Sequence, residues 1–158
     1  MIHVQQFREL IIKPTLEHMG LYSRSAENLL VGTALVESRL EYLKQLRGGP
    51  ALSVYQIEPT THDDIWRSFL TFSPHLRDKT VELLSHRATM REDKCSDLVG
   101  NLPYSTAIAR LVYYRIPRAL PESTDIPGLA QYWKKHYNTY LGKGDPLSFV
   151  EIYETYAR

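Results

Sequence analysis

A mainly α fold is predicted for this 158-residue chain by three observations. Apolar residues recur at helical spacing through most of its segments. One nearly unbroken apolar stretch, Leu29 to Val36, is interrupted only by Gly32 and Thr33, the pattern of a helix buried on all sides. Breaks such as Gly48-Gly49-Pro50 and Gly142-Lys143-Gly144-Asp145-Pro146 separate the periodic stretches. A chain of this length buries roughly 68–70% of the surface its unfolded form exposes, so one domain over residues 1–158 can fold without disulfides.

Val4, Phe7, Leu10, Ile11 and Leu16 predict a first helix over about residues 3–18, kinked or restarted near Pro14. Ser23 or Ser25 caps the second, Glu27 falls in its first turn, and its apolar stretch carries it to about Leu40. Arg47-Gly48-Gly49-Pro50 breaks the chain, and weak alternation over residues 51–58 predicts a small extended segment or loop. Thr61 with Asp64 marks a helix start for about residues 62–72, with Ile65, Trp66, Phe69 and Leu70 as its apolar stripe. Ser73-Pro74 opens a helix ending near His86, and the polar stretch Arg87 to Asp97 is expected to be a surface connection. Further helices are predicted over Tyr104 to Arg115, over about residues 128–138 with Leu129, Tyr132 and Trp133 inward, and from Leu147 onward through Val150, Ile152 and Tyr153.

Nineteen basic residues against 18 acidic ones, with no dense basic run, provide no footprint for nucleic acid. No window approaches the ~18 consecutive apolar residues of a membrane span, so no membrane partner is expected. Cys95 is the only cysteine, which excludes an intramolecular disulfide and multi-cysteine zinc sites. Met1 through Ile12 lacks the apolar core of a signal peptide, so synthesis in the cytoplasm without export is expected.

Glu37 stands out chemically. It directly follows the apolar stretch at a helix C-terminus, where desolvation and the partial negative charge of the free carbonyls both disfavour its anion. A carboxylic acid protonated near neutral pH can donate its proton to a leaving oxygen, as cleavage of a glycosidic bond requires. The alternative is a helix-end glutamate that simply reaches solvent.

The residues that follow resemble the central pattern of the lytic transglycosylases in the lysozyme-like superfamily. That pattern is Glu-Ser at a helix end, then Gly-Ala-x-Gly-Leu-x-Gln-x-x-Pro-x-Thr after a loop. Here Glu37-Ser38 is followed by Pro50-Ala51-Leu52-Ser53-Val54-Tyr55-Gln56-Ile57-Glu58-Pro59-Thr60-Thr61, in which Ala51, Gln56, Pro59 and Thr61 match in register. Glu37 and Gln56 are 19 residues apart, the separation that family tends to show. Pro50 and Ser53 stand where the family has glycine. His136-Tyr137-Asn138-Thr139 is the counterpart of the family's Tyr-Asn-Ala-Gly segment, and with Tyr113-Tyr114 and Tyr132-Trp133 it also looks like small phage-encoded members of the superfamily.

The resemblance implies a lysozyme-like helical domain that cleaves the peptidoglycan glycan strand between N-acetylmuramic acid and N-acetylglucosamine. Glu37 would be the catalytic acid and then base, while Ser38, Gln56 and Tyr137 would serve the bound substrate. No metal or organic cofactor is implied. It places the action at the bacterial cell wall, with phage structural proteins as possible partners in a virion. A muramidase-type hydrolase would need a second carboxylate, for which Glu41 and Glu58 are candidates. The rival reading is a virion scaffold that keeps the fold without turnover.

His62-Asp63-Asp64 combines metal-ligating residue types, but helix capping accounts for both aspartates and no second histidine lies at i, i+4, so no metal site is predicted there. Cys95, in a polar segment with only Lys94 beside it, is not expected to be a nucleophile. Gly142-Lys143-Gly144 lacks the glycine spacing and hydroxyl residue of a phosphate loop.

Overall fold

A computed structural model describes residues 1–139 and 141–158. The fold is mainly helical, as predicted, with 66% of residues in helix and no sheet among the described residues. None of the described helices is long and apolar enough to cross a membrane.

The first helical stretch begins as α1 (Val4–Phe7), continues through a π-helical segment (Arg8–Ile12) and ends as α2 (Lys13–Met19). The wider segment lies just before Pro14, which lacks the N–H that a regular turn would use there. Gly20 then takes a left-handed conformation (φ 68°) and closes the helix. The central helix is α3 (Arg24–Ser38), and Ser23 rather than Ser25 caps it, its hydroxyl accepting from the Ala26 N–H at 3.0 Å.

α3 packs against both α9 (Ile126–Trp133) and α10 (Pro146–Tyr156). Gly32 makes the second contact possible, since a Cβ there would fall 2.1 Å from the Phe149 ring. Thr33, the other interruption of the apolar stretch, is satisfied inside the core: its hydroxyl donates to the Leu29 carbonyl and lies 2.7 Å from the Tyr113 hydroxyl on α8 (Leu102–Tyr114). In α10 Phe149 and Tyr153 are buried in the core and Val150 and Ile152 pack partly buried against it, whereas Leu147 is exposed.

The segment after α3 holds the extended residues expected near 51–58. Leu52 bridges both Lys44 and Ile57, and the backbone pairs Gln45 N–H with Ala51 C=O and Ser53 N–H with Leu43 C=O. α4 (Pro59–Asp64) starts three residues before the expected position 62, with Pro59 in the first turn, where its missing N–H is harmless. It continues as a π-helical segment (Ile65–Phe69) and a 3₁₀ turn (Leu70–Phe72).

α5 (Pro74–Val81) stops short of His86. The expected surface connection instead contains α6 (His86–Arg91) and α7 (Asp97–Gly100). Asp97 ties them together, accepting from the Ser85 N–H at 2.8 Å and the Ser85 hydroxyl at 2.6 Å.

Beneath α3 the core holds a buried polar knot. The Arg8 guanidinium donates to Glu27 and Asn28, both at 2.7 Å, and to the Tyr153 hydroxyl at 3.2 Å. This ties α3 and α10 to the first helical stretch through charge-assisted bonds.

Candidate active site

Glu37 sits in the last turn of α3, where the chain turns sharply as Arg39 and Leu40 both adopt left-handed backbone angles (φ 53° and 55°). Its carboxyl group is half-buried, and Oε1 accepts a hydrogen bond of 3.0 Å from the indole N–H of Trp133, the last residue of α9. Packing of α3 on α9 therefore fixes the carboxyl group. The indole is held in turn: Phe149 lies beside it with ring centroids 5.7 Å apart, and a Cβ at Gly144 would come within 2.4 Å of its outer edge.

Burial raises the Glu37 pKa to about 7, and the bond from Trp133, which favours the anion, opposes part of that rise. Glu37 is thus poised between acid and base near neutral pH, the condition for a group that must serve in both roles. Trp133→Phe removes the indole donor that stabilises the carboxylate. The Glu37 pKa is expected to move further upward, read as an alkaline shift in the carboxyl titration by NMR. An unchanged or lowered value would show that the indole does not tune the acid.

The carboxyl group lines a cleft of about 540 Å³ that also takes in Tyr42, Gln56, Glu58, Thr61, Tyr137 and Asn138. This volume lies within the usual range of ligand-binding clefts. Three of the four site residues expected from sequence, Glu37, Gln56 and Tyr137, meet there, as do Ala51 and Thr61 of the matching run.

Gln56 has a left-handed backbone (φ 50°) and donates one side-chain N–H to the Ser53 carbonyl at 2.8 Å, which holds the amide against its own turn. Ser53 is left-handed as well (φ 69°), the conformation that glycine takes at no steric cost. Its hydroxyl compensates by accepting the Tyr55 N–H at 3.0 Å. The serine therefore occupies a glycine-type turn, and being fully buried it does not narrow the cleft.

Tyr137 lies in a π-helical segment (Lys134–Asn138) that continues α9. Its hydroxyl donates to the Tyr55 carbonyl at 2.7 Å and its ring stacks on Tyr113 at 5.2 Å, so the ring is clamped between the loop and α8. Burial, with the neighbouring Glu37 charge second, pushes its phenol well above the ordinary value, so it remains a neutral donor.

Ser38, the fourth residue, lies behind the cleft. It is buried and does not line the cleft. Its hydroxyl donates to the Val54 carbonyl at 2.7 Å and accepts the Leu40 N–H at 3.1 Å, so it bolts the end of α3 to the loop that carries Gln56. Its side chain faces this loop and not the cleft. Trp133 is the site residue that sequence reading places only in the core; an indole N–H buried there needs an acceptor, and that requirement pointed to a polar partner.

No family model, curated protein or solved structure matches the chain.

Proposed function

We propose that the chain cleaves the glycan strand of peptidoglycan between N-acetylmuramic acid and N-acetylglucosamine, as a lysozyme-like lytic transglycosylase. The observation that carries this reading is a carboxyl group with a pKa of about 7 in a cleft shared with Gln56 and Tyr137. Protonated Glu37 donates its proton to the glycosidic oxygen as the bond to the anomeric carbon breaks. The resulting carboxylate then takes the proton of the muramic C6 hydroxyl, whose oxygen closes on the anomeric carbon to form a 1,6-anhydro ring. Trp133 holds the carboxyl in place through both steps, and Gln56 and Tyr137 flank the sugar.

Hydrolysis is the second reading, favoured by the exposed Glu58 on the same cleft. Glu41, also exposed, does not line it, which leaves Glu58 as the carboxylate placed to activate a water. Action at the bacterial cell wall follows from the proposed substrate, and a place in a phage virion rests only on the resemblance to small phage-encoded members. A scaffold without turnover gives no reason for a protonatable carboxyl group held at a cleft.

Mass spectrometry of the soluble products from purified peptidoglycan separates the readings. Muropeptides ending in 1,6-anhydromuramic acid are expected. Products carrying an added water would transfer the assignment to a Glu58-assisted hydrolase, and no release over a broad pH range would overturn the catalytic reading.

A further inference from the structure

His62, Asp63 and Cys95 come together in a second depression, of about 560 Å³, outside the cleft that holds Glu37. Their nitrogen, oxygen and sulfur donor atoms all lie within 4.8 Å of one another. We propose that these three residues bind a divalent cation of borderline softness, zinc by the chemistry of the donor set. The mixture of imidazole, carboxylate and thiol is zinc's characteristic ligand choice, and neither a hard cation nor a purely thiophilic one calls for all three.

Folding changes the cluster from the one visible in sequence. Asp64 is turned away, held by Arg115 at 2.6 Å and by Ser68 at 2.8 Å. Cys95 takes its place, brought from the turn between α6 and α7. His62 Nδ1 already lies 2.9 Å from Asp63 Oδ1, close to the ~3.3 Å edge expected between two ligands of a tetrahedral zinc ion. The two edges to Cys95 Sγ are each within 4.8 Å, so binding would need the thiol to move inward on both.

The imidazole is set up for a ligand on Nδ1. His62 is almost fully buried and its Nε2 lies 2.7 Å from the Tyr104 hydroxyl, which also receives the Trp66 indole N–H at 2.9 Å. A ligating imidazole uses its other nitrogen for such an orienting bond. On binding, the ring proton moves from Nδ1 to Nε2 and the Cys95 thiol proton leaves to solvent, so the imidazole stays neutral and the sulfur binds as thiolate. The fourth position faces the depression, where Asp93 adds negative charge and Lys94 rests over the Trp66 ring, its ammonium 5.1 Å from the ring centre. Such an ion would brace the turn before α7 against α4, the helix that leads out of the cleft loop.

Tag-free protein, stripped with a chelator, is titrated with Co²⁺ and, in competition with a chromophoric chelator, with Zn²⁺. One equivalent is expected to bind, with release of protons and with a thiolate-to-cobalt charge-transfer band in the near ultraviolet. Cys95→Ser should remove that band and weaken Zn²⁺ binding by about 100-fold or more, beyond what loss of an outer-shell partner costs. Asp63→Asn should weaken it by about 10-fold or more and keep the band. The two variants leave buried His62 in place, and far-ultraviolet circular dichroism checks that each is folded. Absence of binding to the parent, or Zn²⁺ affinity unchanged in both folded variants, overturns the proposal. The outcome is independent of any activity at Glu37.

Discussion

Glu37→Gln is expected to lower glycan cleavage by about 10²–10⁴-fold, the usual contribution of a general acid, and further because the same group must also act as base. The variant should nevertheless melt at a higher temperature than the parent at pH 8. The folded-state pKa of about 7 lies above the ordinary 4.5, so the folded protein binds the proton more tightly than the unfolded chain. Stability from this group is fully present below about pH 4.5 and is lost as pH rises through about 7.

At pH 8 the parent therefore holds a desolvated anion that glutamine replaces with a neutral amide, whose oxygen can still accept the Trp133 N–H. The gain is at most about 3 kcal/mol, reduced by the water that reaches the exposed side of the carboxyl group. It should vanish near pH 4.5, where both proteins carry a neutral side chain. Melting curves at the two pH values, with cleavage assays on the same samples, check the pair of effects. Retained cleavage would remove Glu37 from catalysis, and a lower melting temperature at pH 8 would mark it as an ionised structural partner.

Arg8→Met should cost about 3–5 kcal/mol of stability, the usual penalty for removing one partner from a buried ion pair. Glu27, with only 1% of its side chain exposed, would be left with the Tyr22 hydroxyl at 2.8 Å and the largely exposed Arg24. Asn28 and Tyr153 would lose their guanidinium partner as well. Methionine fills much of the same volume, so the loss isolates charge rather than a cavity. Urea denaturation measures it. A double substitution that also replaces Glu27 by a neutral apolar residue should recover a large part of the loss, because no unpaired charge then remains. A single variant as stable as the parent would mean that the pair contributes nothing net.

The long apolar helices were legible from the sequence because periodicity is a local property. α3 needed only the Leu29 to Val36 stretch and a capping serine. α6 and α7 were not legible: they are short, largely polar, and held by Ser85–Asp97 bonds that span 12 residues. Glu37, Gln56 and Tyr137, which line one cleft, stand out in the sequence because two short motifs carry them. Ser38 enters through the resemblance, and its orientation was not legible: successive helical residues point ~100° apart, so the neighbour of a cleft-facing glutamate turns to the loop behind it. Trp133 joins the site across 96 residues of chain, through a bond that only helix packing creates.

The left-handed backbone angles around the cleft carry a consequence for how the protein comes apart. Among the described residues, the non-glycine positions with such angles are Arg39, Leu40, Arg47, Ser53, Gln56, Glu92 and Thr139, and all but Glu92 lie in the segments that build or border the cleft. Each holds roughly 1–2 kcal/mol of conformational energy that an ordinary backbone would not. The helices that surround them hold none at comparable positions, so the free energy of opening is uneven along the chain. The cleft loop, tethered at Ser38 and Tyr137 to the helical frame, is therefore expected to open before it, with its amides exchanging faster than those of α3 and α8 in a hydrogen-exchange measurement.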